Sequence, residues 1–180
     1  MRRDLRSPLR VLGIGVVAGV AGTAVMTGVQ LAEQRLRGSG SPEPPESWSE
    51  APAPAQVGEL VARRVFRHPV ALERAPALTN VVHWSYGIAW GVAFAAIQRA
   101  AGLAVVPAAA GFGTLVWASD YVVLPGMKIY QPAWKYPAST LAIDLGRHLA
   151  YGAGAAGAYA LAARSSPRRH GKVGRIVHPA

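Results

Sequence analysis

Apolar residues gather into four long blocks, 11–32, 79–98, 103–124 and 139–163, whose inner halves carry almost no charge. Each block has about the 20 residues that a helix rising ~1.5 Å per residue needs to cross the hydrocarbon of a bilayer. In lipid the backbone N–H and C=O groups must bond within the segment, so helix is the default. The pattern predicts an all-α protein: a four-span transmembrane helix bundle filling residues 1–180 as one integral membrane domain. A basic N-terminus precedes the first block, as in a signal peptide, but the apolar run is too long and no A-x-A-like cleavage site follows it closely. We read that block as the first span.

Two polar stretches interrupt the pattern. Residues 38–54, GSGSPEPPESWSEAPAP, are rich in Pro, Ser and Glu, and the composition predicts an extended or disordered segment. Residues 55–68 follow, with Val57, Leu60, Val61 and Val65 at helical spacing beside Arg63, Arg64 and Arg67. This is a short amphipathic helix, either lying on the membrane surface or packed over the mouth of the bundle. The basic tail, 164–180, closes the chain.

Composition fits this picture. Mean hydropathy is only +0.20, because the loop and tail dilute the blocks. The 20 glycines and many alanines suit closely packed membrane helices. With no cysteine, disulfides, thiolate metal sites and cysteine nucleophiles are excluded. The net charge of +10 belongs mostly to connections and tail, where it sets topology and meets anionic lipids; no nucleic-acid partner is expected. Ten basic residues flank the side holding both termini, against eight on the other. The termini are therefore expected in the cytoplasm of a cell inner-membrane, multi-pass protein.

Small residues recur every four positions: Gly15 and Gly19 in the first block, Gly87 and Gly91 in the second, Gly152 with Ala156 in the fourth. Such stripes let helix backbones approach closely, within one chain or between copies, so a homo-oligomer stays an open reading.

The candidate chemistry lies in the ionisable residues of the blocks, each costly in hydrocarbon unless paired or wet. His83, Asp120, Asp144, Arg147 and His148 all fall in the halves of their helices nearest one face, if the four spans alternate in direction. Asp144, Arg147, His148 and Tyr151 occupy i, i+3, i+4 and i+7 of a single helix face. They predict a polar layer roughly 5–15 Å below the outer interface. Within it Asp144 is expected to pair with Arg147 or His148. Asp144 and His148 are the best-spaced candidates for sharing a metal, yet the scatter over three helices argues for no metal site and no cofactor. Trp84, Tyr86, Trp117, Tyr121, Tyr130, Trp134 and Tyr136 fall at the same boundary, as an interfacial belt or as the lining of a binding site.

The layout resembles the YagU-like group of small bacterial inner-membrane proteins. The matching features are the glycine-rich first block, SPEPPESW at 41–48, a second block opening on His83, the turn LPGM at 124–127 and GRHLAY at 146–151. The resemblance implies a multi-pass inner-membrane location and a link to acid or envelope stress, and it carries over no catalytic residues. The expected function is that of a non-enzymatic integral membrane protein with an outer polar layer. The alternative is a proton-sensing or small-ligand binding, transport-related protein.

Overall fold

The computed structural model describes residues 7–38 and 44–164. The N-terminal residues 1–6, residues 39–43 of the Pro-rich stretch and the basic tail from 165 onward lie outside them. Among the described residues the protein is all-helical, with five α-helices and no strand: α1 (Pro8–Leu36), α2 (Ala53–Arg64), α3 (Ala75–Ala101), α4 (Val105–Gly126) and α5 (Ala138–Arg164). Short 3₁₀ turns at Leu72–Arg74 and Ala133–Lys135 lead into α3 and α5.

The helix ends follow local chemistry. Proline opens α1 (Pro8), α2 (Pro54) and α3 (Pro76) within the first two positions, where its missing N–H costs nothing. Gly102 ends α3 in the left-handed region, at φ 60°. The Gln98 side chain then spans the turn into α4: its amide donates to the Leu103 carbonyl (3.2 Å) and its oxygen accepts from the Leu103 N–H (3.1 Å). Two backbone groups left over by the helix ends are thereby satisfied.

Helix α1 is the hub. It packs extensively on both α3 and α5; α5 in turn packs on α4, whereas the backbones of α3 and α4 stay apart and meet through side chains. The close contacts are made by backbone against backbone. A Cβ on Gly15 would lie 2.6 Å from the Val92 Cα, and one on Gly19 would lie 2.6 Å from both the Gly87 carbonyl oxygen and the Ile88 Cα. Gly91 faces the Gly19 backbone, and Gly152 faces the Ala109 carbonyl of α4. Gly87 receives Thr23, whose hydroxyl is turned back onto the Gly19 carbonyl at 2.8 Å. At the end of the bundle holding the α3–α4 turn, rings fill the interior. Phe94 is 1% exposed, with its centroid 4.7 Å from Phe112 and 5.7 Å from Tyr159, and Trp90 meets Phe112 at 5.8 Å.

Two expectations need correcting at the opposite end. From residue 44 the Pro-rich stretch is a fixed turn, not a disordered one. Trp48 packs on a small cluster of Ala51, Ala55 and Ala75, and the Gln56 amide donates to the carbonyls of Ser49 (3.3 Å) and Ala51 (2.8 Å). The amphipathic helix begins and ends earlier than its 55–68 pattern suggested, and it rests on α3. Gly58 sits against Leu78 and Val82, and with Ala55 it forms the buried face beside the half-buried Val57 and Leu60, whereas Val61 and Val65 are exposed. Of the two readings of this helix, packing over the bundle mouth is the one observed.

Taken singly, α1 is the one helix among those described that is long and apolar enough to cross a membrane; it has 29 residues and a mean hydropathy of 1.9 over its most apolar stretch. In α3, α4 and α5 the polar residues described below, and many glycines, dilute the apolar character.

Gly19→Leu and Gly91→Leu should each lower the melting temperature of the purified protein, since overpacking costs ~1–3 kcal/mol and here it meets rigid backbone. Gly111→Leu, where nothing lies within 4 Å of the added carbon, is the neutral control. Equal melting temperatures for all three would refute the backbone contact.

Candidate polar cavity

A cavity of about 360 Å³ lies among α1, α3, α4 and α5 at the α2 end. Its walls carry His83 and Tyr86 from α3, Asp120 from α4, and Asp144, Arg147 and His148 from α5, with Pro52–Val57 over the mouth. Five of the six candidate ligand or proton residues thus gather on one cavity. The sixth, Tyr151, also lines it, yet the residue is 3% exposed and its hydroxyl is spent on the Gly87 carbonyl at 2.6 Å. Its ring fills the space beside Gly22, so Tyr151 ties α5 to both α3 and α1.

A polar chain links the four long helices. On α5, Arg147 donates through Nε (2.9 Å) and an Nη (2.6 Å) to one carboxylate oxygen of Glu33 on α1. On the next residue of α5, the Nε2 of His148 lies 3.2 Å from an oxygen of Asp120 on α4. The other oxygen of Asp120 accepts from the Tyr86 hydroxyl of α3 at 2.5 Å. His83 contributes a longer contact, 3.5 Å from the Thr27 hydroxyl.

This overturns one expected pairing. Asp144 does not hold Arg147; Glu33 does. Residues three apart on a helix are neighbours that could pair, so the partner is decided between helices: packing of α5 on α1 brings Glu33 to 2.6 Å from the Arg147 guanidinium. Glu33 escaped notice because it stands one residue beyond the first apolar block; its spacing on α1, three residues after Gln30 and seven after Met26, was the available signal. Of the two readings of Tyr86, interfacial belt or lining of a site, it lines the cavity and donates to Asp120.

His148 holds the key to the charge state. It is 7% exposed, with both ring nitrogens facing oxygen. Nδ1 lies 2.8 Å from the Asp144 backbone carbonyl, which can only accept, so Nδ1 carries a proton. Nε2 faces the Asp120 carboxylate, whose second oxygen already accepts from Tyr86. The network is complete with a second proton between Nε2 and Asp120: an imidazolium–carboxylate pair.

Asp144 has looser partners, the His148 ring and the Tyr121 hydroxyl. Its nearest cationic atom is the His148 Nδ1, at 3.9 Å, and that proton is directed to a carbonyl. Beside it a second cavity of about 300 Å³ is walled by Tyr121, Tyr130 and Tyr136, with Arg37 and Arg147 also on its lining. Burial first, and then the carboxylates of Asp144 and Asp120, push the Tyr130 hydroxyl up to about 12, so it stays a neutral donor at physiological pH. Among the described residues no three His, Asp or Glu side chains are grouped as ligands for a metal ion. No family model matches the chain, and no curated protein or solved structure is detectably similar to it.

Glu33→Ala and Arg147→Ala should each destabilise the protein, and the double variant should recover ~1–3 kcal/mol of coupling in a double-mutant cycle. Asp144→Ala combined with Arg147→Ala should come close to additive. Strong coupling in the second cycle with none in the first would reverse the assignment of partners.

Proposed function

We propose that this chain is a small, non-enzymatic, multi-pass membrane protein that binds a small polar ligand in a cavity opening toward the outer leaflet. A proton held between His148 and Asp120 sets the charge of that cavity. The observation that carries this reading is the inversion of polarity across the bundle. Large apolar side chains point outward on all four long helices, among them Leu12 and Val17 on α1, Val81 on α3, Val106 and Val122 on α4, and Leu161 on α5. The charged pairs, by contrast, converge inward on one cavity. A protein in water places these classes the other way round, while lipid accepts the apolar exterior and forces ionisable groups inside. A purely structural role for the charged groups would need ties between helices and no empty volume beside them; the open space favours binding.

The reading includes four spans with both termini in the cytoplasm, an inner-membrane location and contact of the basic tail with anionic lipids. It is in keeping with the YagU-like resemblance. Since the chain has no cysteine, single cysteines report cleanly. Cysteines at Ser47 and Gln131 should react with a membrane-impermeant maleimide in intact cells, while one at Ala104 should react only after permeabilisation. Labelling of all three alike would sink the four-span arrangement.

The proton carries its own test. Below the titration range of the imidazolium both bonds of His148 are present; as pH rises and the proton leaves, the bond to Asp120 is lost. Melting temperature should therefore fall between about pH 5 and about pH 9. Asp120→Asn should flatten that slope, and a wild-type profile already flat over the same range would remove the proton from the proposal.

A further inference from the structure

We propose that the ligand of the larger cavity is a single-chain amphiphile of the monoacylglycerol type, with an uncharged, hydroxyl-bearing head held in the cavity and its hydrocarbon chain in the gap between α3 and α4. This deepens the ligand-binding reading, and it rests on that reading for an open cavity.

The two sides of the cavity differ in chemistry. From α1 and α5 it receives Gln30, Asp144, Arg147 and His148. His83 on α3, 3.5 Å from the Thr27 hydroxyl, adds to this polar side at the seam with α1. Toward α3, α4 and the α2 cover the wall is mainly apolar, with Val57, Val82, Val116, Val123, Leu124 and Met127, and the bonded Tyr86–Asp120 pair crosses it. The backbones of α3 and α4 stay apart here, and two wall residues beside the gap keep much of their surface open, Tyr86 40% and Val123 52%. A hydrocarbon chain leaving by this gap meets apolar side chains on its way to the lipid that surrounds the outward-facing Val122. At about 360 Å³ the cavity is at the small end of the ~300–1,000 Å³ usual for ligand pockets. It has room for one head and the start of one chain, and too little for a lipid with two.

Charge and hydrogen bonding define the head. The charged groups on the walls already answer one another: Arg147 holds Glu33, His148 holds Asp120, and Asp144 has the His148 ring and the Tyr121 hydroxyl. A cationic or anionic head would shed its water here and find no free counter-charge in return. The hydrogen-bonding groups left to a ligand are neutral ones. Among the described residues the Gln30 amide has no partner, and His83 has only its long contact with Thr27. Both side chains line the cavity, and neither has a polar atom sealed away from it. An amide offers donors and an acceptor, and a neutral imidazole offers one of each. A hydroxyl is donor and acceptor at once, so it satisfies either group whichever tautomer His83 holds.

The test uses the full chain in phosphatidylcholine nanodiscs, free of hydroxyl-headed detergents that would compete. Monodecanoylglycerol, kept below the level that loosens the bilayer, should raise the melting temperature saturably. Glycerol, the head without the chain, should not. Decanoate and decyltrimethylammonium, the same chain on charged heads, should bind about tenfold more weakly. Gln30→Leu should weaken monodecanoylglycerol binding about tenfold, the size of one hydrogen bond, and Val123→Trp, which fills the gap between α3 and α4, should weaken it at least as much. Val17→Trp, at a lipid-facing position of α1 away from the cavity, controls for uptake by the bilayer and should bind as the wild type does. No saturable shift of the wild-type protein, unchanged binding in both cavity variants, or tighter binding of either charged amphiphile overturns the proposal. Met26→Cys, buried yet on the cavity wall, separates that failure from failure of the cavity itself. If its thiol reacts with a small water-soluble reagent in the absence of added amphiphile while monodecanoylglycerol does not bind, the cavity stands and only the amphiphile assignment falls. If the thiol is inert and nothing binds, the open cavity falls as well.

Discussion

The contact of α1 with two helices at once is the constraint on which the rest depends. Gly15 and Gly19 let α3 approach to backbone distance, and Gly22 does the same for the Tyr151 ring and backbone of α5. Dispersion between atoms at contact distance is small per pair and large in sum. In lipid, where burying apolar surface gains little, it is the main force between helices. With α3 and α5 both committed to α1, and α4 committed to α5, the backbones of α3 and α4 stay apart and side chains span the gap, with the cavity at the α2 end.

Rings and charges manage that separation differently at the two ends. Near the α3–α4 turn, Trp90, Phe94, Phe112 and Tyr159 fill the gap by edge-to-face contact, a geometry that suits the ring quadrupoles. At the α2 end the gap is bridged by Tyr86 and Asp120 and left partly empty. Each charge there has lost much of its water, so the cost of stranding one is high, and the bonded chain from Glu33 to Tyr86 is the arrangement that avoids it. Asp144, partly exposed, is held more loosely, by the His148 ring at 3.9 Å.

Much was legible in the residues alone. Blocks of apolar residues predicted the four long helices to within a few residues at each end, and the amphipathic pattern near Val57 and Leu60 predicted a fifth. The periodicity of 3.6 also put Asp144, Arg147, His148 and Tyr151 on one helical face, and alternation of direction put His83 and Asp120 at the same level. These inferences need only local geometry, which a sequence carries in full.

Partner choice is not local. Whether Arg147 meets Asp144 or Glu33 depends on how far α5 is rotated against α1, and that rotation is set by Gly22, Gly152 and Gly154 meeting backbone and ring atoms of other helices. Tyr86 and Tyr136 are the same residue type near the same boundary, yet one binds a carboxylate and the other walls a cavity, because α3 and the α4–α5 connection present them to different neighbours. The sequence by itself determined which segments are helical and which residues share a face and a depth. The tertiary structure decided which of those residues touch and where space remains, because side-chain contacts between helices depend on distances of an ångström that no spacing along one chain encodes.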